Sequence, residues 1–448
     1  MKNSDGKDKK KALGISIKEG SAASFSAGIA NSYITPFALA LKAQPIHIGI
    51  LSSLIGILSP LSQFFGSKLI GKFHRKKIVL AFVLLQALTW IPIATIGFLY
   101  WKGILTNYLL YILIILYSVI AIFGGIHYPA WFSWMGDLVK ENERGKYFAK
   151  RNLATGIIEI SAVLVGLAIL GPLENKSYVF VGFGILFILA FFFRLISYSL
   201  LQQQYSPSRF KLNGELKVST KDLLKDNKNF GKFSVYQAIF NFAIMIASPF
   251  FAVYMLKELN FSYYVYIAVI LSSSIFYLMF LPLAGKFSDK YGNLKLMYIS
   301  NFLFVLSPIL WLFFKTPMYI IIFPQIVSGI ANAAYVIAFT NFTYSTVKPK
   351  YLGLGVAYIN ILAGIGIFIG SISGGILLKY INLLNLNINS YFILFITAAA
   401  FRLLSALYFI PTIKEEKKIK RIPHVHISIT HPFKTFHAEI GWFKQVFK

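Results

Sequence analysis

The chain has 448 residues, of which 57% are hydrophobic and 13% charged. Soluble domains carry roughly 25% charged residues, so this composition excludes an ordinary water-soluble domain and indicates a protein that lipid solvates. The net charge of +28 could suggest nucleic-acid binding, but the basic residues alternate with apolar segments, which is typical of a membrane protein. The absence of cysteine excludes disulfides and thiolate metal sites.

Apolar runs recur along the whole sequence, each long enough to cross a hydrocarbon core of roughly 30 Å as a helix. Because they are continuously apolar rather than alternating, they favour helices over membrane-barrel strands. They predict twelve transmembrane helices, near residues 20–42, 46–70, 78–101, 107–133, 152–172, 178–201, 233–256, 263–284, 295–314, 317–341, 353–378 and 390–411.

The connections between these segments alternate between strongly basic and nearly uncharged. The basic set lies at residues 2–18, 68–77, 140–151, 209–232, 286–295, 348–350 and 414 onward, and the other set carries mostly one lysine each, such as Lys42, Lys102 and Lys315. This is the positive-inside pattern, which places both termini in the cytoplasm of a multi-pass protein of the cell membrane. The polar N-terminus does not resemble a cleaved signal peptide, so the first helix is expected to act as an uncleaved anchor.

A polar stretch over residues 202–231 separates six helices from six. The sequence therefore predicts an N-terminal tail (1–19), a first six-helix bundle (20–201), a cytoplasmic linker (202–231), a second bundle (232–412) and a basic cytoplasmic tail (413–448). Short matches between the halves support an internal repeat, including Pro36 with Pro249 and Arg194 with Arg402. The predicted fold class is an all-α membrane protein with two pseudo-symmetric bundles, which could rock about a site at their interface.

The loop after the eighth segment contains Gly285, Asp289, Lys290 and Gly292. Their spacing resembles the signature loop of the major facilitator superfamily, and the resemblance covers essentially the whole chain. It implies a secondary transporter in which these residues form a conformational latch between helix ends.

The first copy of this loop departs further from the family pattern. It keeps Lys72, Arg75 and Lys76, but Gly71 occupies the position of the aspartate. We expect a carboxylate from the next cytoplasmic loop to replace it, either Asp137 or Glu143. That loop also contains Arg144 and resembles the connection between the fourth and fifth helices of prokaryotic members. The alternative interpretation is a solvated basic loop.

Three charged residues lie well inside the predicted spans, where a charge costs at least about 2.5–3.5 kcal/mol. Glu159 falls near the middle of its span, so it is the candidate for proton coupling. Alternatively, it neutralises an arginine of the sixth helix or is simply protonated. Arg194 and Arg402 lie about one turn from the cytoplasmic boundary, which favours snorkelling or capping of helix ends.

Polar residues near the middle of helices 1, 4, 7 and 10 are the candidates for a substrate cavity. They are Asn31, Tyr33, His127, Trp131, Gln237, Asn241, Gln325 and Asn332. Hydrogen bonding between helices is the rival interpretation for each. His127 has no second ligand at a metal-binding spacing, and no cofactor is expected.

These features predict a secondary active transporter that moves a small solute by alternating access, driven by protons or another solute, and monomeric. The sequence contains no Walker-type phosphate loop, and an enzyme is not expected. Two alternatives stay open: a receptor or scaffold derived from a transporter, and a membrane-embedded lipid-linked transferase. Sugars, amino acids, drugs and organic anions all remain as substrates.

Overall fold

The computed structural model describes residues 2–70, 72–140, 144–174, 178–206, 228–347, 352–384 and 388–415. Within these ranges the chain is helical, with short turns and no strands. The first half contains α1 (Lys2–Ala40), α2 (Pro45–Ile70), α3 (Arg75–Trp101), α4 (Thr106–Leu138), α5 (Arg144–Leu170) and α6 (Val179–Gln203). The second half contains α7 (Lys228–Glu258), α8 (Tyr263–Tyr291), α9 (Asn293–Phe313), α10 (Pro317–Thr346), α11 (Leu352–Leu383) and α12 (Ser390–Phe409).

Of these twelve helices, the eleven from α2 to α12 are long and apolar enough to cross a membrane. Helix α1 is more polar, but it buries Ile29, Ala30, Tyr33 and Phe37 completely, and it packs on α5 and α6. A helix surrounded by other helices can carry more polar residues than one that faces lipid. The predicted fold class, an all-α membrane protein of twelve helices, is confirmed.

The two repeat-related prolines have different effects on their helices. Pro36 lies inside the continuous helix α1, whereas α7 is interrupted by a turn at residues 246–249 that contains Pro249. Helices α7 and α10 also contain π-helical turns at Tyr254–Glu258 and Ile321–Gln325. Proline lacks the N–H that would continue the ladder, so Pro249 in the turn and Pro324 in the second π-helical turn each leave a carbonyl group in need of another donor.

The chain divides into two compact units. The first unit comprises residues 1–217, 248–267 and 367–385, and the second comprises residues 218–247, 268–366 and 386–448. The first unit therefore contains α1 to α6 together with the later part of α7, the start of α8 and the end of α11. The predicted boundaries at the linker and in the tail fall largely on residues 207–227 and 416–448, outside the described residues, and stay predictions.

In the first unit, α3 packs on α4 and α6, and α2 packs on α4. Helices α2 and α4 approach so closely that a Cβ at Gly66 would overlap the carbonyl of Ile126, and one at Gly125 would lie 2.5 Å from the carbonyl of Ser59. Small residues at such crossings are the usual means of close packing between membrane helices. This packing fixes α4, which supplies His127 and Trp131 to the site described below.

The segments of α7 and α8 in the first unit are joined to the first six helices by two polar contacts. The Lys257 Nζ donates to the carbonyl of Ala43 at 2.8 Å. Both carboxylate oxygens of Glu174 accept from the backbone N–H of Tyr263 at 3.0 Å, at the start of α8. A carboxylate at that end satisfies a backbone donor and complements the helix dipole.

In the second unit, α9 packs on α10 and α12, and α12 packs on the first part of α7. The core is strongly aromatic: the Phe233 ring lies 4.6 Å from that of Phe342, and the Tyr335 ring lies 4.1 Å from that of Phe339. Ring pairs at these distances gain energy beyond their buried area.

Arg402 of α12 crosses this core. Its guanidinium donates to the carbonyls of Phe304 at 2.7 Å, Ile244 at 3.0 Å and Ala243 at 3.4 Å. Two of these acceptors precede the interruption of α7, so Arg402 caps the end of an interrupted helix, as one of its two sequence interpretations proposed. Snorkelling to the membrane surface is wrong, because the residue is only 2% exposed.

Candidate functional site: a charged cavity in the first unit

An ion pair joins α1 and α5 inside the first unit. The Arg151 Nη2 lies 3.3 Å from the Glu19 Oε2, and the two side chains are 13% and 5% exposed. The Arg151 Nε also donates to the carbonyl of Ser16 at 3.3 Å. A Cβ at Gly20 would overlap this guanidinium, so the glycine beside Glu19 allows Arg151 to lie against α1. The contact therefore depends on Glu19 and Gly20 of α1 as well as on Arg151 of α5.

The same carboxylate reaches α6 through a serine. The Ser197 Oγ donates to the Glu19 Oε1 at 2.9 Å, and the Arg194 Nη1 donates to the Ser197 Oγ at 3.3 Å. The Arg194 Nε donates to the Gln86 Oε1 of α3 at 2.8 Å. Arg194 is 9% exposed, so it does not snorkel to the surface; it lies in a polar network.

Helix α4 completes the network with His127 and Trp131. The His127 Nδ1 lies 2.9 Å from the carbonyl of Phe123, and its Nε2 lies 3.4 Å from the Arg194 Nη2. A carbonyl only accepts and a guanidinium only donates, so the ring carries its proton on Nδ1 and is neutral. The Arg151 guanidinium lies 4.6 Å from the Trp131 ring centroid, a cation–π contact.

These side chains line a cavity of about 180 Å³ within the first unit. Its walls include Glu19, His127, Trp131, Arg151 and Arg194, together with apolar residues of α1, α3 and α4. With His127 neutral, two guanidinium groups and one carboxylate leave one net positive charge in the network. In a low-dielectric interior this excess charge interacts strongly with any charged solute that enters.

Glu159, the predicted proton-coupling residue, lies on α5 away from this network. Among the described residues no side chain donates a hydrogen bond to its carboxylate, and the residue is exposed. The alternative in which Glu159 neutralises the arginine of α6 is wrong, because Arg194 bonds Gln86, Ser197 and His127. Its role in proton coupling stays a prediction.

The two cavity candidates on α1 make interhelical hydrogen bonds. The Tyr33 hydroxyl donates to the carbonyl of Val163 on α5 at 2.7 Å, and the residue is fully buried. Asn31 is exposed, and its Oδ1 accepts from the Tyr117 hydroxyl of α4 at 2.9 Å. The geometry of Tyr33 fits the rival interpretation, a bond that holds α1 to α5, whereas Asn31 keeps an accessible amide.

In the second unit, three polar residues form a neutral cluster. The Asn241 Nδ2 donates to the Gln237 Oε1 at 3.0 Å and to the Tyr335 hydroxyl at 3.1 Å, and that hydroxyl donates to the Gln237 Oε1 at 2.7 Å. Gln237 and Tyr335 line a second cavity, of about 280 Å³, with Thr340 and Asn360. Gln237 thus takes part in interhelical hydrogen bonds and also lines a cavity.

The two remaining cavity candidates on α10 do not join this cluster. Gln325 lies at the end of a π-helical turn and is 8% exposed. Asn332 is exposed, and its Nδ2 donates back to the carbonyl of Ser328 at 2.8 Å. Their contact with a solute stays a prediction.

At the first predicted latch, Arg75 forms an ion pair with Asp137 and also donates to the carbonyl and the hydroxyl of Ser133, both at 2.9 Å. Asp137 therefore supplies a carboxylate to Arg75, in a loop whose sequence has Gly71 instead of the family's aspartate. The Lys76 Nζ donates to the carbonyls of Gln202 and Gln204 at 2.7 and 2.9 Å, which caps the end of α6. Of the other residues considered for this latch, Lys72 is exposed. The side chain of Arg144 and the whole of Glu143 lie outside the described part of the chain.

At the second predicted latch, α8 and α9 meet at Gly292, whose φ of +95° suits glycine and allows the sharp turn between them. The buried Asn293 accepts from the Ser288 hydroxyl at 2.5 Å, and the Asn341 Nδ2 donates to the same hydroxyl at 3.0 Å. Of the three other residues predicted here, Gly285 lies within α8, Asp289 is exposed and Lys290 is half-buried. The Glu415 Oε2 caps α9 by accepting from the N–H of Leu294 at 2.8 Å.

Comparison with known proteins identifies the family. The sequence profile described as Major Facilitator Superfamily matches residues 20–241 and 233–443. The chain belongs to this superfamily. It is therefore a multi-pass membrane transporter, and its family indicates that it is not an enzyme.

Solved structures of Major Facilitator Superfamily transporters share the fold. A point mutant of the nucleoside transporter NupG aligns with a TM-score of 0.69 at 16% identity, over 89% of this chain and 100% of NupG. A bacterial homologue of the human lysosomal transporter Spinster gives 0.63 at 14%, over 91% and 99%. A bacterial homologue of the iron transporter ferroportin gives 0.65 at 12%, over 90% and 98%. No curated protein sequence matches the chain.

Several residues of this transporter's charged network escaped the sequence reasoning. Glu19 was assigned to a terminal tail, yet α1 begins at Lys2 and Glu19 is 4% exposed. Arg151 was counted among loop cations, and Gln86 and Ser197 were not singled out. The available signal was the pair Glu19-Gly20, a carboxylate and a small residue at the start of an apolar run, opposite basic residues of α5 and α6.

The network predicts unequal effects of the same substitution at two carboxylates of this transporter. Glu19→Gln leaves two buried guanidinium groups without their counter-ion, so it should destabilise the protein by roughly 3 kcal/mol. Glu159→Gln removes no hydrogen bond among the described residues and should leave the melting temperature nearly unchanged. Thermal unfolding of the purified variants, followed by tryptophan fluorescence, measures both.

A double variant provides the control for this comparison. Glu19→Gln combined with Arg151→Gln removes both charges of the pair and should recover part of the lost melting temperature, as expected for coupled residues. Equal melting temperatures for wild-type protein and Glu19→Gln would show that the ion pair does not stabilise the bundle.

Proposed function

We propose that this protein is a secondary active transporter that moves a small solute across the cytoplasmic membrane by alternating access. Membership of the Major Facilitator Superfamily supports a transporter. The single observation that carries the proposal further is the cavity of about 180 Å³ in the first unit, lined by two arginines and a glutamate. Charges inside a membrane protein are costly, and they usually mark a substrate or ion pathway.

The proposed arrangement in the membrane has both termini in the cytoplasm and a single chain as the working unit. The alternation of basic and nearly uncharged connections supports this sidedness. A receptor or scaffold derived from a transporter is the alternative function, and it differs from the proposal in one measurable respect: it binds solute without moving it.

We also propose that Arg75 and Asp137 form a latch in the first half. The pair links the start of α3 to the end of α4, and the Arg75 side chain is only 4% exposed. An ion pair that must break for a conformational change stabilises the state in which it is formed. The neutral contacts of Asn293, Ser288 and Asn341 lie at the start of α9 and would hold the second half more weakly.

Transport itself is tested with purified protein in liposomes loaded with a defined mixture of sugars, amino acids, nucleosides and organic anions. We expect time-dependent loss of one solute class, measured by mass spectrometry of the vesicle contents, and none from protein-free liposomes. Retention of every solute by vesicles that bind one of them would favour the receptor or scaffold.

The absence of cysteine from the chain allows its orientation to be tested in membrane vesicles of known sidedness. Lys42→Cys and Lys72→Cys each introduce a single thiol at an exposed position. In right-side-out membrane vesicles an impermeant maleimide should label only Lys42→Cys, and in inside-out vesicles only Lys72→Cys. The reverse result would reject cytoplasmic termini.

The latch predicts that Asp137→Asn weakens one conformation rather than the solute site. Exchange of labelled for unlabelled solute should change at least severalfold in rate, while the affinity for the solute changes less than twofold. Asp289→Asn, at an exposed carboxylate of the second loop, is the comparison. A large loss of affinity in Asp137→Asn with unchanged exchange rate would contradict a latch.

Proton coupling predicts that Glu159→Gln abolishes uptake driven by a pH gradient but preserves solute exchange, because exchange needs no net proton movement. Uptake and exchange are measured in the same proteoliposomes at matched protein content. If the variant keeps wild-type pH dependence of uptake, Glu159 is not the coupling residue.

A further inference from the structure

We infer that the cavity of the first unit is a binding site for a small anionic solute, held by Arg151 and Arg194, and that Glu19 is an internal counter-ion which the solute displaces. This inference rests on the proposed function and names its substrate class. The site brings together groups from α1, α3, α4, α5 and α6.

The first argument is charge. Two guanidinium groups and one carboxylate meet at the cavity, and the hydrogen-bond pattern of His127 keeps that ring neutral. A cationic solute would meet an excess of positive charge, and a neutral solute would gain nothing from it. An anion is attracted by this excess charge, and beside largely buried guanidinium groups that attraction is stronger than in bulk water.

The second argument is the number of unused donors. A guanidinium carries five N–H groups. Arg194 uses three of them, toward Gln86, Ser197 and His127, and Arg151 uses two, toward Ser16 and Glu19. The remaining N–H groups of both side chains have no acceptor among the described residues. Planar donor forks of this kind match a carboxylate or a phosphate, which present two or more acceptor oxygens.

The third argument is that the charges are not a purely structural device. Arg402 holds the repeat-equivalent place to Arg194 and donates to three backbone carbonyls, with no carboxylate. A buried arginine in this fold can therefore be stabilised by the backbone alone. The first unit instead contacts its arginines mainly through side chains, among them Glu19 and His127. Three of these contacts, at 3.3–3.4 Å, are longer than a tight charge-assisted bond, whereas the bond from Arg194 to Gln86 is 2.8 Å.

The fourth argument concerns Glu19. Its two oxygens accept from Arg151 and Ser197, so it occupies the place that a solute carboxylate or phosphate would take beside the arginine. The cavity of about 180 Å³ is below the 300–1,000 Å³ of drug-sized sites, which favours a small metabolite anion. Trp131, already stacked on Arg151, offers an apolar wall for the carbon skeleton.

The test uses two matched pairs of probes: glycerol 3-phosphate with glycerol, and succinate with succinamide. Binding to the purified full-length protein is measured by calorimetry at constant ionic strength. We expect the anionic member of at least one pair to bind at least tenfold more tightly than its neutral partner. The pair with the larger difference identifies phosphate or carboxylate as the recognised group.

Four variants separate binding from folding. Arg151→Gln and Arg194→Gln should weaken anion binding at least tenfold. Lys102→Gln, at an exposed lysine, should leave it unchanged. Glu19→Gln should lower the melting temperature and yet raise the anion affinity about tenfold, because the competing carboxylate is gone. A merely structural network predicts no gain of affinity in a destabilised variant.

Equal affinity for the neutral and anionic probes, or no gain of anion affinity in Glu19→Gln, would overturn the anion site. The outcome is separable from the proposed function. Flux of a neutral solute without anion binding would retain transport and reject this site, whereas anion binding without any flux would retain the site and reject transport.

Discussion

Buried arginines are the constraint on which each half of this protein is organised. Arg194 and Arg402 occupy repeat-equivalent positions on α6 and α12, where an uncompensated cation would cost several kcal/mol. The second unit satisfies its arginine with the carbonyls of Phe304, Ile244 and Ala243, and two of these precede the interruption of α7. The first unit satisfies its arginine with side chains from α3, α4 and α6.

The residues that contact the two arginines can be compared by their positions along equivalent helices of the two halves. Counted from the starts of α3 and α9, Gln86 and Phe304 hold the same position. Counted back from the ends of α4 and α10, so do His127 and Tyr335. Gln86 and His127 both bond to Arg194, whereas Phe304 offers its carbonyl to Arg402 and Tyr335 bonds to Gln237. The equivalent positions thus belong to the charged network in the first half, whereas in the second half Tyr335 belongs to the neutral cluster and Phe304 contacts Arg402 through its carbonyl.

The sequence predicted the helical membrane fold almost completely, because continuous apolar runs report transmembrane helices directly. It was much weaker for the site. Tyr33 and Gln86 are both polar residues of apolar helices, yet one donates to the backbone of a neighbouring helix and the other accepts from an arginine. That difference depends on how each helix is rotated about its axis and where it crosses its neighbours, and the sequence of a single helix does not reveal either. Glu19 could not be identified for a related reason. Helix α1 begins well before its apolar run, and only the packing shows that the turn containing Glu19 is buried.

The proposed displacement of Glu19 by a solute would also connect binding to movement. A solute shifts a conformational equilibrium only as far as it contacts the two states differently. Glu19 of α1 is bonded to Arg151 of α5 and, through Ser197, to Arg194 of α6, so these contacts tie three helices together. A solute that takes the guanidinium groups from Glu19 would exchange bonds between helices for bonds to itself. Part of its binding free energy would then loosen α1 from its neighbours, a coupling of the kind that the proposed alternating access requires.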